Sequence, residues 1–167
     1  MDKMKKSLTE DEERTLTAIA ERIFPTTDTP GAVDAGAVDY IMIALGGAYA
    51  SHLPFYRRGL RAINRRARKM FGAGFSALSD AQQDSILVEF EAGTVPNWIK
   101  AAEFFETLRY HVLEGIFCEP QYGGNKDMTG WRLVDFPGQQ FGYADAYINK
   151  RVDLEPVAVD DSAGEGK

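Results

Sequence analysis

Apolar residues recur at helical spacing through most of this chain, and the breaks between the repeats fall on capping and turn residues. Leu16, Ile19, Ala20 and Ile23 form one stripe, with Glu13, Arg14, Glu21 and Arg22 distributed around it. In front of them, Thr9-Glu10-Asp11-Glu12 reads as a capping box: Thr9 can accept from the Glu12 amide while the Glu12 side chain reaches back to the Thr9 amide. The pattern predicts a helix from there to Pro25, followed by an ordered loop over 26–31, where Pro25, Pro30 and Gly31 leave little room for helix. Val38, Ile41, Met42 and Leu45 predict a short second helix within 34–50, weakened at its end by Gly46-Gly47. Tyr56, Leu60, Ile63, Ala67 and Met70 predict a third, opening near Pro54 and closing at Met70 or Phe71. A second capping box, Ser79-Asp80-Ala81-Gln82, precedes Ile86, Leu87 and Phe90 and predicts a fourth. Asn97 is expected to cap a fifth and central helix, lined on one side by Trp98, Ala101, Phe105, Leu108, Val112 and Gly115 or Ile116.

Beyond Phe117 the periodicity stops. Residues 120–131 concentrate glycine among aromatic and polar residues without a sustained period, which predicts an ordered loop. The stretch from Leu154 to Lys167 is acidic and has no aromatic residue, so flexibility is expected there. The fold class that follows is all-α: a single small domain of about five helices over 9–150, with a long glycine- and aromatic-rich C-terminal loop, and an acidic tail over 151–167.

Composition narrows the function classes. A chain of 167 residues with 44% hydrophobic and 26% charged residues suits one globular domain. The longest apolar stretch, around Ile41 to Ala50, is too short for a membrane span. A net charge of -6 argues against nucleic acid as the main partner. The start runs from Met1-Asp2-Lys3 into an acidic capping segment and not into an apolar core, so a cytoplasmic location is expected; the alternative is periplasmic, with the export signal removed or carried by a partner. Cys118 is the one cysteine, which excludes an internal disulfide and leaves a buried thiol or an intersubunit disulfide.

Charge is unevenly spread. Arg57, Arg58, Arg61, Arg65, Arg66, Arg68 and Lys69 all lie on the third helix, with no acidic residue between Asp39 and Asp80. Either acids from the first and fourth helices balance this face, or it docks an acidic partner, to which arginine offers bidentate contacts. His52 and His111 are far apart in sequence and in no metal-ligand spacing. No Gly-x-Gly-x-x-Gly turn and no Cys-x-x-Cys-His is present, so no redox cofactor is expected in this chain.

Two blocks carry a family likeness. The first runs from Thr15-Leu16-Thr17 through Phe24-Pro25-Thr26-Thr27-Asp28-Thr29-Pro30-Gly31-Ala32 to Asp34-Ala35-Gly36. The second joins Phe104-Phe105-Glu106-Thr107-Leu108-Arg109, Glu114-Gly115, Pro120-Gln121-Tyr122-Gly123-Gly124-Asn125-Lys126-Asp127, Gly130-Trp131 and Phe136-Pro137-Gly138. Over roughly 9–140 the chain resembles the gluconate 2-dehydrogenase subunit 3 family. The resemblance implies a small non-catalytic subunit that binds, stabilises or matures a large flavoprotein of the glucose–methanol–choline type, which oxidises sugars, sugar acids or glycosides. It places FAD in that partner and a cytochrome or other acceptor downstream.

For such a subunit, Gly123, Gly124 and Gly130 permit close backbone approach, while Tyr122, Trp131 and Phe136 offer rigid anchors. With Asn125, and with Arg57, Arg61 and Arg65 of the basic helix, they are the expected partner-binding residues. The other reading of the loop is that it folds back on the helical core. Two different functions compete: a stand-alone helical enzyme using His111, Glu114 and Asp127, and an adaptor for anionic partners using the basic helix.

Overall fold

The computed structural model describes residues 8–138 and 154–159, and among them the chain is helical. Helix α1 spans Glu10–Ile23, α2 Ala37–Gly46, α3 Leu53–Phe71, α4 Asp80–Glu91, α5 Ala101–Phe117 and a short α6 Thr129–Leu133. Four single 3-10 turns stand between them, at Ala50–His52, Phe75–Ala77, Pro120–Tyr122 and Lys126–Met128. The domain limit expected at 150 and most of the expected acidic tail lie outside the described residues.

Both capping boxes form. The Glu12 amide donates to Thr9 Oγ1 at 3.3 Å and the Thr9 amide to Glu12 Oε2 at 3.0 Å, and Ser79 with Gln82 does the same for α4. Helix α1 then buries Leu16, Ile19 and Ala20, as their spacing predicts. Helix α3 likewise buries Tyr56, Leu60, Ile63 and Ala67, with Met70 left exposed at its end.

Helix α5 packs against α1, α2, α3, α4 and α6 and is the axis of the core. Its start differs from expectation. Asn97 sits in the left-handed region (φ 61°) and caps nothing; Lys100 occupies the cap position, with no side-chain hydrogen bond. The cause is Trp98, which turns inward to meet Phe55, Phe90 and Phe104 at ring-centroid distances of 6.3, 5.5 and 5.5 Å. Burying an indole outweighs the roughly 1 kcal/mol available from a cap. Ala101, Leu108, Val112, Gly115 and Ile116 are buried as expected; the one difference is that Phe104 is fully buried, and Phe105 only partly.

Close approach of α3 to α5 depends on Gly59. A Cβ there would lie 2.2 Å from the Phe104 ring. A buried polar pin holds the other side of α3: Asn64 Nδ2 donates to Thr15 Oγ1 at 2.6 Å, and Asn64 Oδ1 accepts from the Phe75 amide at 2.9 Å. Asn64 thus ties α1, α3 and the 75–77 turn together within the core.

Gly59→Ala is expected to destabilise the fold by about 1–3 kcal/mol through overpacking, although alanine is the better helix former by about 1 kcal/mol. Urea unfolding monitored by far-UV circular dichroism reads this directly, and a variant more stable than the parent would show that Phe104 yields freely.

Candidate partner-binding surface

An α-helix leaves its last carbonyls without intrahelical donors, and α5 meets this need with residues from the segment that follows it. The Asn125 amide donates to Gly115 O at 2.7 Å, Trp131 Nε1 to Phe117 O at 2.8 Å and Asn125 Nδ2 to Cys118 O at 2.9 Å. Asn125 Oδ1 in turn accepts from the Gly130 amide at 2.9 Å, which starts α6 against the end of α5. Gly124 allows the approach, since a Cβ on it would lie 2.2 Å from Gly115 O. The glycine-rich stretch therefore folds back on the core, where no loop period announces it, and contains a short helix.

This arrangement divides the expected interface residues into two groups. Asn125 (0% exposed), Gly124 and Trp131 (5%) are buried within the chain, whereas Tyr122 (59%) and Phe136 (46%) face outward. Phe136 lies edge-on to Trp131 at 5.1 Å. Gly123 turns at φ 91° beside Ile43, itself exposed. Asn125, Asp127, Met128 and Asp135 all hold positive φ. For methionine that conformation costs about 1–2 kcal/mol, so surrounding contacts must impose it.

Cys118 is half-buried, with its sulfur 3.8 Å from Gly115 O. Burial pushes its thiol up, against the backbone hydrogen bonds that favour the thiolate. A thiol held protonated in this way is a weak nucleophile.

The basic helix is largely balanced by acids from α1 and α4. Arg61 Nε meets the buried Glu12 at 2.8 Å with Arg57 at 3.9 Å, Arg68 meets Asp11 at 3.9 Å, and Arg66 forms a bidentate pair with Glu89 at 2.7 Å. Arg57 and Arg61 therefore face α1. Arg65 shares a cleft with Arg57, Arg58 and Arg61 but is exposed and without an ion pair among the described residues.

A further constellation joins residues remote in sequence. His52 and His111 come together with ring centroids 5.5 Å apart, Tyr49 stacks on His111 at 4.5 Å, and Tyr56 lies parallel to it at 5.8 Å. The Tyr56 hydroxyl and His111 Nδ1 share a 2.7 Å hydrogen bond, the hydroxyl donating in the Nε2–H tautomer. The Tyr40 and Tyr49 hydroxyls donate to Glu114 at 3.1 and 3.0 Å. Burial, and then the Glu114 charge, raise the Tyr56 hydroxyl, and burial is also the leading cause for Tyr40 and Tyr49. Burial lowers His111, with Glu114 opposing and His52 assisting. The cluster thus holds protonated phenols against a neutral imidazole. Asp127, expected to complete a catalytic set with His111 and Glu114, is exposed, and its carbonyl oxygen accepts from Arg132. Periodicity signals only part of this cluster, since neither histidine falls in an apolar stripe.

The family model described as gluconate 2-dehydrogenase subunit 3 matches residues 10–138. The chain belongs to that family. Both blocks of likeness, α1 with its loop and α5 with its cap, lie inside the match. No curated protein and no solved structure gives a match. Membership marks the chain as an accessory subunit associated with a dehydrogenase. Among the described residues no helix is long and apolar enough to cross a membrane.

Asn125→Gly keeps the backbone conformation but removes the side-chain bonds to Gly130 and Cys118. It is expected to cost about 2–4 kcal/mol and to speed proteolysis within 120–138; unchanged stability and cleavage would mean that Asn125 caps nothing of consequence. His111, with its folded pKa below the unfolded value of about 6.5, contributes stability that is full above that pH and is lost as pH falls toward its folded pKa. The melting temperature should drop between about pH 7 and pH 5, and His111→Gln should flatten that drop. Equal slopes in parent and variant would assign the acid sensitivity elsewhere.

Proposed function

We propose that this chain is a small non-catalytic subunit that binds and stabilises, or helps to mature, a large FAD-dependent dehydrogenase of the glucose–methanol–choline type. The oxidised substrates are sugars, sugar acids or glycosides. The flavin belongs to the large subunit, and electrons leave it for a cytochrome or another acceptor. The observation that carries this reading is the family match over the whole helical unit, 10–138. The capped segment supports it, because the hydrogen bonds of Asn125 and Trp131 spend the segment's polar groups internally and leave Tyr122 and Phe136 exposed on a braced backbone. Rigid aromatic side chains displayed in this way lose little entropy on binding.

The contact is expected to be non-covalent, since Cys118 is half-buried with a raised thiol pKa. The cytoplasm is proposed as the place of the complex, with the periplasm as the alternative.

Co-expression with the large subunit is the test. With this chain present, the flavoprotein should be soluble and fully loaded with FAD by absorbance; a large subunit equally soluble, loaded and active alone would refute the accessory role. Tyr122→Asp and Phe136→Asp together should reduce co-purification by about tenfold or more while leaving this chain folded.

A further inference from the structure

The cations of α3 divide by direction. Arg57, Arg61 and Arg68 turn toward α1, and Arg66 is bound to Glu89. Arg58, Arg65 and Lys69 are exposed and have no ion pair among the described residues. Positions 58, 62, 65 and 69 follow one another at helical spacing, so these three cations form a single row of about 16 Å, interrupted only by Ala62. The row borders a groove of about 460 Å³ whose other wall is Val95, Pro96, Asn97 and Trp98 of the α4–α5 connector. Trp98 is 7% exposed, and its indole N–H has no acceptor among the described residues. Glu89 of α4 is already committed to Arg66 through both oxygens.

Unpaired cations in a row on a chain of net charge -6 represent an unbalanced local field. Their self-repulsion brings no compensating contact within the described fold. A partner that supplies carboxylates along the row gains Coulomb attraction, less screening and desolvation, without displacing an existing pair.

We infer that the groove between α3 and the α4–α5 connector is a docking site for an acidic, extended or helical segment of the large subunit, with carboxylates meeting Arg58, Arg65 and Lys69. The identity of that partner rests on the proposed function. The site differs from the aromatic surface of the C-terminal segment and gives the complex a second, salt-sensitive contact. Arg57 and Arg61 do not line it; they meet Glu12 instead.

The experiment uses the full chain and, as probe, a fluorescein-labelled glutamate-rich peptide followed by anisotropy. The wild-type chain should bind it, with affinity falling as salt rises from roughly 50 to 150 mM. R58E/R65E/K69E should lose about tenfold or more, while R14E, a charge reversal remote from the groove, stays within about twofold. Absent binding, or equal binding by the triple variant with its circular dichroism unchanged, overturns the inference. Tighter binding of an oligonucleotide of equal charge also overturns it, in favour of an anionic adaptor. So does a tenfold gain in peptide affinity on removing residues 160–167, which would make this chain's own tail the occupant. Capture of the flavoprotein separates the two proposals: equal capture by wild type and triple variant sinks the groove alone, whereas no capture by wild type sinks the subunit reading itself.

Discussion

The end of α5 is the point on which the rest of this molecule turns. A central helix packed on several sides cannot leave its final carbonyls bare, because a buried polar group without a partner costs about 1–3 kcal/mol. Water serves them poorly where α6 and the 120–128 turns cover the helix end. The chain solves this with its own next segment: Asn125 supplies a backbone and a side-chain donor, and Trp131 supplies its indole. Once those bonds form, the course of 118–131 is set. Gly124 must be bare, α6 starts where Gly130 meets Asn125, and Tyr122 is left outside.

Under the proposed function, one short stretch serves structure and recognition together. Its inward groups finish the helix, and its outward aromatics inherit a fixed position from them. The positive φ values at Asn125, Asp127 and Met128 follow from the tight path the chain takes between its two anchoring contacts. A docking surface built on a helix cap is more rigid than one built on a free loop, which lowers the entropy cost of association.

Charge follows the same economy. The acids at the start of α1 complement its dipole, as their position implies, yet Glu12 also does a second job by holding Arg57 and Arg61 from a buried position. Balance within the fold is therefore the fate of most of the basic helix, and only the row facing the connector is left over. In the Tyr56–His111–Glu114 cluster most polar groups are matched as well, with His52 Nδ1 buried and without a partner among the described residues. The phenol hydrogen bonds satisfy groups that would otherwise oppose burial.

The local signals in the sequence were sufficient for the helices: two capping boxes, the stripes of α1 and α3, and prolines at the breaks act through neighbours three or four residues apart, and the structure places the helices where those signals lie. The family likeness was equally legible, because Tyr122 to Asn125 and Gly130-Trp131 are contiguous motifs. What the sequence could not decide depends on which elements meet. Asn97 lost its capping role because Trp98 had a better place in the core, and Phe104 replaced Phe105 because Gly59 opened a gap for it. The pairing of His52 with His111, the division of seven cations into paired and unpaired, and the inward turn of Asn125 all required partners dozens of residues away or a helix end whose needs appear only once it is buried. Periodicity reports which face of an element is apolar; only the packed structure reports which polar groups that burial leaves to be satisfied, and by whom.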